Sequence, residues 1–424
     1  MTNKTKNEPA STSSPLSIGE GQGVRLSGVR LPFDKIIDRT GSDDLKHGVL
    51  QERYGDANLL PLWVADMDFE ACPAVYEALN NRLNHKIYGY AIAPDSYWES
   101  ILSWLQRRHN FSVKREELTF VPGVVRGLAM AVNTFSSPGD KILIQPPVYH
   151  PFRHVIESNG RKVVNNPLRV DCKGKMTMDL ELLERQLTQE QCSMMILCNP
   201  HNPGGVIWDK HTLMAVAEIC KQHGVVVCSD EIHGDLGLFG NRYNPFATVS
   251  EAARDISVTF GAPSKTFNIP GIVSSWVVVK NPMMRRKFYT WLSANELNEP
   301  TFFQTVATEA AYRHGEQWLE AVLAYIEANI RFVESFIGET IPEIKVIRPE
   351  ASYLVWLDCS SLCANREQLD NIFVKHAHLA LNPGEMFGDG GEMHMRLNVG
   401  CPRTTLAKAL ELLAHAVKEM KENK

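Results

Sequence analysis

The stretch TFGAPSKTFNIPG (residues 259–271) sets one lysine, Lys265, between a serine and a threonine in a turn. Apolar residues flank the turn, at 256–260 before it and 272–279 after it. Short apolar runs bounded by turn residues read as buried strands. Exposed lysines are common in turns. A lysine amine beside a cleft is also a nucleophile. The segments on either side decide between these readings.

Moving outward, residues 225–228 read as a strand that runs into Ser229-Asp230-Glu231-Ile232-His233. Before it, 210–223 reads as a helix closed by Gly224. Residues 194–198 read as a strand followed by the turn-rich NPHNPGG (199–205). Strands at 141–145 and 118–121 stop at Pro146-Pro147 and Pro122-Gly123. Residues 97–109 form an amphipathic pattern with Trp98, Ile101, Leu102 and Leu105 on one side. The alternation predicts an α/β fold with a mostly parallel central sheet and helices on both faces. Such sheets bind ligands at the carboxyl ends of their strands. The last 100 or so residues differ: a helix at 316–336, VIRPEASYLVWLD, a helix near 366–376, the strand HMRLNV and a final helix from 404. They predict a smaller α+β domain. The expected division is a flexible extension over 1–28, a segment over 29–75 packing with the small domain, a large domain over 76–315 and a small one over 316–424.

Composition narrows the partners. The 424 residues carry 44 basic and 49 acidic side chains, with no basic block, which argues against nucleic acid. No apolar run approaches the roughly 20 residues of a membrane helix. The first 15 residues lack the apolar core of a signal peptide. The nine cysteines are scattered, without a CxxC pair or a metal-ligand spacing, and read as reduced thiols of a cytoplasmic protein with no metal site.

Three chemistry-bearing residues stand just beyond strands: Asn202, Asp230 and Lys265, at intervals of 28 and 35 residues. Each alone reads as a turn or cap residue. Together they match pyridoxal 5′-phosphate, which needs an amine for its aldehyde, a carboxylate for its ring nitrogen and a donor for its ring oxygen.

The motifs LPLWVADMDF (60–69), IYGY (87–90), VPGVVRGL, IQPPVYHPF, LCNPHNPGG, SDEIHGDL, APSKTFNIPG and MRLNVGCPR are similar in order and spacing to the fold-type I pyridoxal-phosphate enzymes of aminotransferase class I/II. Within them the chain most resembles the C–S lyase, or cystathionine β-lyase, branch, over about residues 30–420. The resemblance implies that Lys265 bonds the cofactor aldehyde. It gives Asp230 the pyridine nitrogen and Asn202 the ring oxygen, with His233 nearby. Tyr149 would stack on the ring, and Val124 and Val125 would offer backbone N–H groups to the phosphate. Ser264 would add a hydroxyl there. Tyr90 would reach the phosphate of a neighbouring subunit, making a homodimer with sites at its interface. Arg396 would clamp the substrate α-carboxylate. Trp63, with Tyr88 and Asp66, would line the substrate pocket.

Two positions depart from the common aminotransferase pattern, where a serine and an arginine hold the phosphate. Here they are Ala262 and Val273. The implied reaction is β-elimination of sulfur amino acids to a thiol, pyruvate and ammonia, with cystathionine the expected substrate and methionine biosynthesis the expected setting. An aminotransferase shares every first-step residue and is the alternative. A regulatory binding protein on this scaffold has no need of Lys265, Asp230, Asn202 and Arg396 together.

Overall fold

The computed structural model describes residues 33–171 and 174–422, with the backbone of Arg25–Leu26 and Val29–Arg30. The expected extension over 1–28 lies outside the described residues apart from Arg25–Leu26.

Seven strands make the central sheet: β1 (Leu118–Val121), β2 (Lys141–Ile144), β3 (Lys162–Asn165), β4 (Met194–Cys198), β5 (Val226–Asp230), β6 (Ser257–Gly261) and β7 (Ser275–Val278). Their order is β1-β7-β6-β5-β4-β2-β3. All pairings are parallel except those of β7, which runs antiparallel to both β6 and β1. Alternate side chains pass to opposite faces, as the period of a strand requires. Met194, Ile196 and Cys198 pack with the helix Val124–Phe135, whereas Met195 and Leu197 pack with the helix Lys210–Gln222. Helices on both faces explain why the strands read as unbroken apolar runs.

Two boundaries differ from the sequence reading. β5 continues through Ser229 to Asp230, because Ser229 and Asp230 pair with Thr259 and Phe260 of β6 and with Leu197 and Cys198 of β4. Asp230 is thus the last residue of a buried strand. The run 272–279 is a strand only from Ser275, because Pro270–Ile272 forms a tight helical turn and Val273 takes a left-handed φ of 54°.

A smaller antiparallel sheet joins Lys345–Ile347, Leu354–Asp358, His394–Asn398 and Asn382–Pro383. The helices Glu316–Thr340 and Arg403–Glu422 share its apolar core. The segment before the large sheet joins this unit. Leu60–Pro61 pairs in parallel with Leu379–Ala380, Leu62 O accepts from Asn398 N, and Asp68 N donates to Gly400 O. Among the described residues no helix is long and apolar enough to cross a membrane.

Candidate active site

Five loops leave the carboxyl edge of the central sheet and meet around one cavity of about 220 Å³. β1 is followed by Gly123, Val124 and Val125, and β2 by the loop carrying Tyr149. β4 leads to Asn202, β5 ends on Asp230 and leads to His233, and β6 leads to Ser264 and Lys265. Because β7 runs the other way, its first residue, Ser275, stands at this same edge and lines the cavity. A second cavity of about 1160 Å³ opens outward and shares Ala65, Tyr149, Lys265 and Pro270 with the first. Arg396 and Trp63 stand in its wall.

Lys265 Nζ donates to Ala65 O at 2.6 Å. Burial pulls this amine down to about 8, which brings its neutral form within reach near neutral pH. Asp230 is buried and its side chain accepts one hydrogen bond, from Ile232 N at 3.1 Å. Burial pushes its carboxyl up to about 6. Burial also pulls His233 down to about 3, so its ring is neutral, and its Nδ1 is buried without a partner. Asn202 Oδ1 accepts from Arg396 Nη1 at 2.9 Å, which leaves the amide N–H groups for the cavity. Arg396 Nη2 donates to Trp63 O at 3.0 Å. Two of its five N–H donors are then used, and Nε is buried without a partner. Burial lowers this guanidinium to about 10, so it stays charged at neutral pH.

These observations test the expected cofactor. Its phosphate end needs N–H donors. The helix Val124–Phe135 offers the unpaired donors of its first turn, introduced by Gly123 at φ 108°. Ser264 and Ser275 are buried there with hydroxyls that donate to no other described residue. Arg126 also lines the cup, but it is exposed and its Nη1 turns back to Pro122 O. Ala262 and Val273 supply no polar group. At the far end the bare carboxylate of Asp230 suits a protonated ring nitrogen. The orphaned His233 Nδ1 and Arg396 Nε suit polar groups that the protein itself does not provide. The residues fit pyridoxal phosphate.

The mouth of the site is built by a segment that sequence reasoning placed only in outline. Asn268, three residues past the lysine, donates from Nδ2 to Met67 O and Phe69 O and accepts from Met67 N. Tyr353 OH donates to Ala65 O at 2.8 Å, beside the Lys265 amine. Asp44, Asp66 and Asp68 all pair with Arg39, and Lys46 adds pairs to Asp66 and Asp68. Trp63 is buried, with Nε1 on Lys46 O at 3.0 Å. Tyr88 is no part of the wall. Its hydroxyl donates to Leu83 O and its ring stacks on Phe302. Tyr90 lines neither cavity of its own chain and is fully exposed, at 112%.

Fold and site together define a lysine-centred α/β enzyme that binds a phosphorylated aromatic cofactor at the edge of its sheet. The family model for aminotransferase class I and II matches residues 57–413. The chain is 43% identical to cystathionine β-lyase PatB of Bacillus subtilis, over 91% of its own length and 99% of the relative's. Its structure resembles cystalysin of Treponema denticola, which contains pyridoxal 5′-phosphate, with a TM-score of 0.88 and 31% identity over 92% of this chain and 99% of that one. The pyridoxal-phosphate-bound C–S lyase of Staphylococcus hominis gives a TM-score of 0.86 and 32% identity over 92% and 98%. The chain belongs to the aminotransferase class I and II family.

Proposed function

We propose that this enzyme eliminates the β-substituent of sulfur amino acids, giving a thiol, pyruvate and ammonia. Pyridoxal 5′-phosphate is its cofactor. The observation that carries the reading is the set Lys265, Asp230, Asn202 and Arg396 around one pair of joined cavities. C–S lyases related over nine-tenths of the chain support it.

When bound, pyridoxal phosphate takes up the electron pair left at the substrate α-carbon. The protein's own groups do the rest. Arg396 holds the α-carboxylate with its unused N–H donors, and Asn202 fixes the guanidinium between itself and Trp63 O. Lys265 removes the α-proton as a neutral amine, and the Ala65 carbonyl keeps its Nζ in place. The bond from the β-carbon to sulfur then breaks, sulfur leaves as a thiolate, and the released 2-aminoacrylate hydrolyses to pyruvate and ammonia. Asp230 would hold the ring nitrogen protonated, Asn202 and His233 would serve the ring oxygen, and Tyr149 would stack on the ring. Val124, Val125 and Ser264 hold the phosphate.

The test is pyruvate release from cystathionine with no keto-acid acceptor present. Sustained, stoichiometric release is expected, with transamination of alanine or aspartate a small fraction of that rate. Dependence of every turnover on an acceptor would establish the aminotransferase instead.

The reading includes a homodimer. Ile87, Tyr88, Tyr90 and Ile92 expose apolar surface on a stretch without helix or strand, which suits burial against a second chain. Tyr90 would then reach the neighbour's phosphate. Mixing inactive Lys265→Ala chains with weakened Tyr90→Phe chains is expected to restore activity above that of either alone. Full activity in a monomer at assay concentration would remove this part. The division at 76–315 and 316–424 and a cytoplasmic setting complete the proposal. Cys192, Cys198, Cys220 and Cys228, all free and buried, support the latter.

A further inference from the structure

The outer cavity holds several charged groups, and most cancel within it. Asp44, Asp66 and Asp68 share Arg39 and Lys46. Asp38 and Asp43 are exposed to solvent. Apart from Lys265, whose amine is kept for the cofactor and the α-proton, two cations of this cavity remain without a carboxylate partner among the described residues: Arg396 and Arg53. Arg53 reaches solvent, yet it is held in place. Its guanidinium lies 4.4 Å from the Trp63 ring and 5.7 Å from the Tyr54 ring. Nη2 donates to Asn382 Oδ1 at 3.3 Å and faces Met386 Sδ at 3.6 Å.

The same asparagine connects the two arginines. Asn382 Nδ2 donates to Trp63 O at 2.9 Å, the carbonyl that also accepts from Arg396 Nη2. Asn382 and Arg396 are cross-strand partners. The two guanidiniums are therefore fixed relative to one another across a single cavity wall, one deep and one at the mouth. A stacked, hydrogen-bonded arginine is a preorganised receptor for a carboxylate. Arg396 takes the α-carboxylate in the proposed reaction, so Arg53 has no anion to pair unless the substrate carries another.

We propose that Arg53 binds a second, distal carboxylate of the substrate, so that the enzyme selects dicarboxylic thioether amino acids over monocarboxylic ones. This rests on the proposed lyase reading. Trp63 and Asn382 are positioning residues for the pair.

The test compares L-cystathionine with S-propyl-L-cysteine, a thioether without the distal carboxylate, on cofactor-loaded wild type and Arg53→Met. Methionine keeps the contact with Trp63 and removes the charge. For cystathionine, KM is expected to rise about tenfold with kcat nearly unchanged, while kcat/KM for S-propylcysteine stays as in wild type. Arg53→Lys should recover part of the loss. Calorimetry supplies a readout independent of turnover. Wild type should bind 2-aminosuberate more tightly than 2-aminooctanoate, and Arg53→Met should shrink that preference about tenfold. Equal effects on both substrates, or none on either, together with an unchanged calorimetric preference, overturn the proposal and leave the lyase reading intact. If neither thioether yields pyruvate with wild type, the lyase reading fails, and the calorimetric ratio alone decides on Arg53.

Discussion

Lys265→Ala is expected to reduce pyruvate release from cystathionine by about 10³- to 10⁴-fold, the scale of a lost general base. The structure gives the amine two properties suited to that role. It sits in the wall shared by both cavities, so it can act on a substrate entering from the larger one. Burial lowers it to about 8, so a useful fraction is neutral at working pH. Pyruvate release by the native enzyme should accordingly rise with pH and level off above about 8. The charge on Arg396 changes little over that range, because its own value is about 10. Lys265→Arg should not rescue turnover, since guanidinium stays protonated. Borohydride treatment of the loaded enzyme followed by peptide mapping should place the pyridoxyl group on residue 265. A label on another lysine, or near-native turnover in the alanine variant, removes Lys265 from this role.

Much of this site was legible because parallel strands deliver their loops to one edge. Asn202 and Lys265 follow β4 and β6, Asp230 ends β5, and these three strands are adjacent in the sheet, so residues 28 and 35 positions apart become neighbours. Ser275 was missed for a related reason. The apolar run that contains it reads as a strand either way, and nothing local shows that β7 is antiparallel and starts at the site. Backbone acceptors leave no trace in sequence at all. Ala65 O, which holds the lysine, and Trp63 O, which holds Arg396, are set by the path of the segment around WVADMDF. That path depends on Asn268, 201 residues from Met67. Arg53 and Asn382 lie 329 residues apart and carry no motif that joins them. The polar end of β5 shows the opposite difficulty. Ser229 and Asp230 read as loop residues, but pairing on both sides buries them.

That burial yields a prediction in which function and stability move apart. In the cofactor-free chain Asp230 titrates at about 6, against 3.8 for an unstrained aspartate, because burial penalises its charge more than the single bond from Ile232 N relieves it. Between those values the folded chain binds more protons than the unfolded one. Its stability from this group is full below about 4 and is lost as pH rises through 6. Two units correspond to about 3 kcal/mol at most, on the scale of 1.4 kcal/mol per unit. An asparagine has no charge to desolvate. The cofactor-free Asp230→Asn protein is therefore expected to unfold at a temperature a few degrees higher than wild type at pH 7.5. That advantage should vanish near pH 4, where the aspartate is already protonated. Catalysis should change in the other direction. Asparagine could not hold the ring nitrogen protonated, and pyruvate release should fall by about 10²- to 10³-fold or more, as when a buried electrostatic partner of the transition state is removed. Added pyridoxal phosphate should also raise the unfolding temperature of the variant less than that of wild type. Thermal melts of both proteins at pH 4 and 7.5, with and without cofactor, separate these effects. If the cofactor-free variant is less stable than wild type at pH 7.5, the bond from Ile232 N outweighs the cost of burying the charge; near-native pyruvate release by the variant would remove Asp230 from its role at the ring nitrogen.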